Sequence, residues 1–236
     1  MRSIIKKTAA VFAAAAMMTA SAACSSEKKD DDHDHTHAMI EDDISDDVQV
    51  NQEDLPYGAT MTSLKAEHND KVKIDIDFDS RYFVQEGDDY PEIILLTEYL
   101  DAMQKHDSDA LSKIYYKPYL DDFIKTGKFA DVSDYISKYM DNLEEKTGSQ
   151  PEFTYAVVDT CLNENESETL TDFGNVDKQL DELTGEKISD KIKSRKLIYM
   201  DVSIKDSQDN SYMFNNTLGY DISVYIYNID GTYYLV

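Results

Sequence analysis

The chain has 236 residues, of which 48 are Asp or Glu and 23 are Lys or Arg, so that its formal net charge at pH 7 is −25. Nucleic-acid backbones and anionic lipid headgroups both require a basic protein surface, and this composition argues against either as a direct partner. Only two cysteines occur, Cys24 and Cys161. A disulfide-rich scaffold is therefore excluded, and stability has to come from the packed core of an ordinary domain.

The first 23 residues have the layout of an export signal. Three basic residues precede an apolar run over residues 9–20, and the small residues 21–23 follow. This order is typical of a bacterial signal peptide, which we assign to residues 1–23. The apolar run is about a dozen residues, whereas a spanning helix needs about twenty, so a permanent transmembrane helix is not expected here.

The residues around Cys24 resemble the lipobox of bacterial lipoproteins, in which two small residues precede a cysteine that becomes diacylated. Ala22, Ala23 and Cys24 match this pattern, while Ser21 stands where that family usually has Leu. The resemblance implies a palmitate-type lipid on Cys24 and anchoring to the outer face of the bacterial cell membrane. Ordinary cleavage with secretion of a soluble product is the alternative. A lipidated Cys24 would leave Cys161 without a disulfide partner in the chain.

Residues 24–55 are predicted to be a disordered acidic tether, because low hydrophobicity and mutually repelling carboxylates oppose folding. Three alternating histidines, His33, His35 and His37, lie among its carboxylates and could offer ligands to Zn²⁺ or Ni²⁺. Nothing fixes the geometry of such a site, so we expect weak zinc binding at most and no other cofactor. A charged spacer without bound metal is the alternative.

Residues 56–236 are predicted to form a single α+β domain. Apolar and charged residues alternate from Val72 to Phe78, which is typical of a half-buried strand. Residues 60–67 could pair with this strand as a β-hairpin, with Asn69 and Asp70 in the turn.

The same strand contains a pattern that is found in calcium loops. The acidic residues at positions 1, 3, 5 and 12 of an EF-hand-type loop would be Asp75, Asp77, Asp79 and Glu86. Ser80 occupies the position at which the loop requires glycine, and a loop would leave Ile76 and Phe78 in solvent. The solvated face of a strand is therefore the better interpretation.

Three helices are predicted next. The first opens at Pro91, the second is capped by Ser108 and interrupted by Pro118, and the third runs over residues 131–146 and ends at Gly148.

The remainder of the chain is mainly strand. Alternation over residues 153–159 and from residue 196 onward predicts strands, with a partly helical segment at 175–184 between them. A long strand is predicted over 212–229, and Asp230-Gly231 is a hairpin turn signal before the last strand.

Residues 99–111 and the ending 227–235 resemble the nuclear transport factor 2-like, or cystatin-like cone, superfamily. Its members carry an aromatic-Leu-x-Ala-hydrophobic stretch near the end of a helix, and they finish with strands joined by a short Asp-Gly turn. The resemblance covers about residues 90–236 and implies N-terminal helices packed on a curved antiparallel sheet. No catalytic residue of an enzyme in that superfamily matches a position here.

That superfamily contains enzymes beside binding proteins, so the resemblance does not decide function. His68 and His106 lie at predicted turns, and Asp159 and Asp201 lie on predicted strands, where a carboxylate is more often solvated than catalytic. Cys161 stands in no recognisable nucleophile motif. The sequence therefore predicts a protein without enzymatic activity or catalytic residues.

Tyrosine is the abundant aromatic residue, with 17 in the chain. Its apolar ring and polar tip suit the wall of a ligand cavity, for which Tyr99, Tyr155, Tyr199 and Tyr225 are candidates, although large core residues are the simpler interpretation. We predict a non-catalytic extracytoplasmic lipoprotein that binds an unknown protein or small molecule. The alternatives are a cone-fold enzyme acting on a small molecule and a metal-capturing lipoprotein.

Overall fold

The computed structural model describes residues 61–165, 169–208, 210–219 and 221–236. The predicted signal peptide, anchor and tether lie outside these residues, as do the first residues of the predicted domain. Within the described part of the chain, no helix combines the length and the hydrophobicity needed to cross a membrane.

The described residues form a mixed α+β unit, which confirms the predicted fold class. Its strands are β1 (Met61–Leu64), β2 (Asp75–Asp79), β3 (Glu152–Asn163), β4 (Ile192–Lys205), β5 (Ser211–Met213), β6 (Ile222–Ile229) and β7 (Thr232–Leu235). Its α-helices are α1 (Pro91–Gln104), α2 (Ser108–Ile114), α3 (Lys117–Thr126), α4 (Val132–Thr147), α5 (Leu170–Thr184) and α6 (Phe214–Leu218). Single 3₁₀ turns occupy Ser80–Tyr82 and Ile188–Lys191.

The strands build one open sheet in the order β1-β2-β3-β4-β6-β7, and β5 pairs with β4 beside this path. Neighbouring strands are antiparallel except β2 and β3, which run parallel. The antiparallel part of the prediction is confirmed, and the parallel pair was not anticipated. Helices α1 to α4 form the crossover between these two strands, as a parallel connection requires.

Local sequence explains where the helices begin and end. Asp131 accepts a hydrogen bond from the backbone N–H of Asp134 at 2.8 Å, and α4 ends at Gly148 with φ of 80°, as predicted. The predicted cap of α2 is wrong by one residue, because Asp107 rather than Ser108 accepts the bond from Ala110. Pro118 lies in the first turn of α3 and does not interrupt a helix, since that turn tolerates its missing N–H.

Three predicted boundaries in the strand regions need correction. β2 starts at Asp75 rather than Val72, and the connection from β1 spans residues 65–74 instead of a tight Asn69-Asp70 turn. Helix α5 starts at Leu170, before the predicted segment. The predicted strand over 212–229 is wrong, because α6 interrupts it and ends at Gly219 with φ of 77°. The Asp230-Gly231 turn is confirmed, with φ of 52° and 93°.

Apolar side chains fill the space between helices α1, α2 and α4 and one face of the sheet. This first core takes alternate residues of β2 and β4 together with one side of α1, including Ile76, Phe78, Ile93, Leu96, Leu100, Ile198, Met200 and Val202. All of these side chains are fully buried.

Helix α5 packs on the opposite face of the sheet, which the sequence did not predict. Phe173, Val176 and Leu180 recur at helical spacing and contact the sheet. The sheet residues of this second core come from β4, β6 and the C-terminus and include Leu197, Tyr225, Tyr227, Ile229 and Val236. Helices therefore lie on both faces, and the buried second core includes no residue of β1 or β2 among those the structure describes.

Candidate functional site

The part of the second sheet face that lies beyond this core is polar and acidic. Because side chains alternate along a strand, the neighbours of the first-core residues on β2, β3 and β4 point to this side. We call this surface the acidic face. Its residues, all partly exposed or exposed, are Ser63, Asp75, Asp77, Tyr155, Val157, Asp201 and Ser203.

Strand register places two carboxylates of the acidic face on either side of an apolar residue. Asp77 pairs with Val157 across the parallel β2–β3 ladder, and Val157 pairs with Asp201 across the antiparallel β3–β4 ladder. Adjacent strands lie about 4.8 Å apart, so the backbones of Asp77 and Asp201 are separated by about 10 Å. The face thus presents an acidic, apolar, acidic row across three strands.

Hydrogen bonds hold the carboxylates on β2 in place. The hydroxyls of Ser63 and Tyr155 both donate to Asp77. The backbone N–H of Ala66 donates to Oδ1 of Asp75 at 2.9 Å, and the Nζ of Lys65 lies 3.3 Å from its Oδ2. Burial, followed by the hydrogen bond to Asp77 and its negative charge, raises the pKa of Tyr155. Tyr155 is therefore a neutral hydrogen-bond donor at physiological pH.

A second group of carboxylates lies where β3, β4 and the start of β6 meet. One carboxylate oxygen from each of Asp159, Asp201 and Asp221 lies within 4.8 Å of the others. Oδ1 of Asp201 accepts bonds from the backbone N–H groups of Val202 and Asn215, both at 2.9 Å. Three oxygens of this kind resemble part of the ligand set of a hard cation such as Ca²⁺. Acidic groups of this kind are also common on surfaces that bind no metal.

Burial and mutual repulsion both act on the carboxylate of Asp159 in this group. Burial, together with the charges of Asp221 and Asp201, raises the pKa of Asp159. Among the described residues, none of the ion pairs within 4.0 Å includes any of the three carboxylates. The group therefore adds uncompensated negative charge to the end of the acidic face.

An open cleft of about 670 Å³ lies between the segments 66–71 and 86–89. One of its lining carboxylates, Asp89, accepts a bond from Nδ2 of Asn69 at 3.2 Å and forms an ion pair with Lys71. His68 borders this cleft with three quarters of its side chain exposed. A solvated imidazole of this kind lacks the burial with which enzymes position an acid or base.

The structure does not bring the four candidate tyrosines together. Tyr99 is buried in the first core, and burial raises its pKa well above the ordinary range. Tyr199 and Tyr225 pack in the second core on the other side of the sheet, where burial raises the pKa of Tyr225 to about 12. Tyr155 lies on the acidic face.

Of the other sequence candidates, Asp159 and Asp201 come together in the carboxylate group described above, and the rest are dispersed. His106 ends α1 with φ of 54°, and Cys161 is buried in the first core. Asp75, Asp77 and Asp79 lie on β2, paired with β1 and β3, which confirms the strand interpretation over the calcium loop.

The sequence did not predict two sets of ion pairs that the structure shows. The Nζ of Lys196 on β4 lies 2.6 Å from Oε2 of Glu92 on α1, in the interior. Arg195, the residue before it, donates to Asp177 of α5 through Nε and Nη2 and to Glu164 through Nη1. These partners are 18 to 104 residues apart in sequence, so no local spacing indicates them.

Cys24 and the histidines His33, His35 and His37 lie outside the described residues, so lipidation and zinc binding stay predictions from the sequence. Any functional conclusion from the structure therefore rests on the geometry of the described residues. Comparisons of the chain with protein-family models, with curated proteins and with solved structures find no match.

Proposed function

We propose that this protein is a non-catalytic extracytoplasmic lipoprotein, held at the outer face of the membrane by a lipid on Cys24, whose domain binds a protein partner through the acidic face. The observation that carries the proposal is the division of the second sheet face. Helix α5 buries the part on β4 and β6, whereas the part on β1, β2 and β3 remains partly exposed.

The apolar, buried first core supports binding at the surface. In the cone-like arrangement that the resemblance implies, an enzyme would place its acid or base in a chamber between the helices and the sheet. Here Leu96 on α1 and Met200 on β4 are fully buried and belong to one apolar cluster. A partner that meets this domain would therefore contact its outside.

A cross-linking experiment tests the binding surface. A photoreactive residue replaces Val157 at the centre of the acidic face, and the matched control replaces the exposed Leu183 on α5. In cells that express the full chain, irradiation should yield a defined adduct from position 157 and none from position 183. The absence of an adduct at 157, or the same adducts at both positions, would contradict the proposed function.

The anchor has a separate test. Cys24→Ala should abolish incorporation of a fatty-acid label and move the protein from the membrane fraction to the soluble or secreted fraction. Cys161→Ala is the matched control and should leave both unchanged, since Cys161 is buried in the domain. Membrane association that persists in Cys24→Ala would show that a lipid on this residue is not the anchor.

A further inference from the structure

We propose that the occupant of the acidic face is an extended, cationic protein segment in which an apolar side chain lies between basic ones. This inference rests on the proposed function, because it names the kind of partner that the same surface accepts. It goes beyond that function by assigning the partner a charge and a side-chain pattern.

Charge complementarity gives the first argument. Five carboxylates lie on the acidic face or at its border: Asp75, Asp77, Asp159, Asp201 and Asp221. Lys65 neutralises one of them through its ion pair with Asp75, and Lys205 follows Ser203 two positions along β4. The surface therefore keeps a negative charge that attracts a basic partner and repels nucleic acid and anionic lipid.

The row of Asp77, Val157 and Asp201 gives the second argument. The backbones of its two aspartates are about 10 Å apart, and an apolar side chain lies between them. In an extended segment, side chains on one side recur about every 6.6 Å, and the long stems of Lys and Arg cover the remaining few ångströms. A basic residue two positions before an apolar one and another two positions after it lie on the same side of the segment, so they can reach both carboxylates while the apolar side chain contacts Val157.

The fixed positions of the acceptors give the third argument. Ser63 and Tyr155 orient Asp77, and the backbone N–H groups of Val202 and Asn215 orient Asp201. Carboxylates that are already held in position lose little conformational freedom when a partner binds. Free oxygen lone pairs of both groups remain for charged hydrogen bonds to lysine or arginine.

The test uses fluorescence anisotropy to measure how a short synthetic peptide binds to the full chain purified in detergent. The peptide has a central valine, with one lysine two positions before it and another two positions after it. The Asp77→Asn/Asp201→Asn variant should bind about fivefold or more weakly, because two exposed ion pairs are lost. Asparagine keeps one acceptor oxygen, and its NH₂ group can donate to the other hydroxyl that now bonds Asp77, so the fold should persist. The matched control, Glu144→Gln/Glu145→Gln on exposed positions of α4, changes net charge equally and should bind like the parent.

The peptide itself supplies a second readout that does not depend on a variant. With a photoreactive residue in place of its central valine, cross-links should map to β3 around Val157. Equal loss of binding in both charge variants, or cross-links elsewhere on the domain, would overturn the inference. If position 157 cross-links to a cellular partner but the peptide does not bind, the proposal of a cationic partner is wrong, and the proposal that the acidic face binds a protein is retained. If neither binds, both proposals fail.

Discussion

Lys196 and Glu92 form an ion pair inside the domain, with Nζ 2.6 Å from Oε2 and side chains that are 9% and 1% exposed. The backbone N–H of Val84 also donates to Glu92, and the ring of Phe83 lies 4.8 Å from the lysine Nζ. Lys196→Met should lower the free energy of unfolding by about 3–5 kcal/mol, because it leaves a buried carboxylate without its counter-charge. Denaturant unfolding followed by circular dichroism measures this loss.

The double variant Glu92→Gln/Lys196→Met removes both charges and should recover at least half of the loss, since no isolated buried charge remains. The control is Lys117→Ala, which removes an exposed pair with Asp121 on α3 and should change the free energy by less than about 0.5 kcal/mol. A Lys196→Met variant as stable as this control would show that the interior pair is solvated.

Arg195 ties helix α5 to the sheet through its planar guanidinium. Nε and Nη2 donate to the two oxygens of Asp177 at 2.9 and 2.7 Å, and Nη1 donates to Glu164 at 2.7 Å. Arg195→Lys keeps the charge but cannot reproduce the fork, so it should destabilise the domain by about 1–2 kcal/mol. Hydrogen exchange should accelerate more in α5 than in α1.

The control for this prediction is Lys178→Ala, whose exposed partner Glu182 lies 3.9 Å away on the same helix. It should change stability by only a few tenths of a kcal/mol. Equal hydrogen exchange in α5 of the parent and Arg195→Lys would mean that the second core alone holds the helix.

The alternation of apolar and polar residues predicted the strands that bury one face. It failed where both faces of the sheet are buried. On β4, Ile198, Met200 and Val202 lie on the first-core face, and their alternation with other residues predicted the strand correctly. The second core draws on Tyr225 and Tyr227, whose polar tips conceal that this side of β6 is also buried. Without that signal, helix α5 could not be assigned to the opposite face.

The candidate site depends on register, which local sequence does not contain. Asp77 and Val157 become neighbours only because β2 and β3 pair in parallel after four intervening helices. An alternating strand indicates that Asp77 faces away from the core, but it does not indicate which strand lies beside it. The sequence alone therefore could not predict that the residues of the acidic row are neighbours, although it correctly placed each of them on a strand.

His106 ends α1 in a conformation that suits glycine. Its φ is 54°, its N–H donates to the carbonyl of Met103, and the N–H of Asp107 donates to that of Ala102, which is the Schellman pattern. Glycine adopts this conformation without a side-chain clash, so His106→Gly should raise the free energy of unfolding by about 0.5–1 kcal/mol. His68→Gly, at an exposed loop position, is the comparison and should give no such gain. Lower stability of His106→Gly would show that the imidazole makes a stabilising contact.

Asp159 gives the protein a specific dependence on pH. Burial and the charges of Asp221 and Asp201 raise its pKa above the ordinary value of 3.8. The folded chain therefore binds this proton more readily than the unfolded chain, and ionisation of Asp159 opposes folding. Its destabilising effect is complete above the raised pKa and disappears as the pH falls through that pKa towards the ordinary one.

Asp159→Asn removes this effect while keeping an oxygen that can accept the backbone hydrogen bond from Asp201. Because the carboxylate is largely exposed, solvent screening limits the gain to about 0.5 kcal/mol, or about 1–2 °C in melting temperature at pH 7. Calorimetry from neutral to acidic pH should show the variant and the parent converging below the ordinary pKa of aspartate. Asp141→Asn on the exposed side of α4 serves as the control. A lower melting temperature of Asp159→Asn at pH 7, or a gain that persists in acid, would contradict repulsion among the three carboxylates.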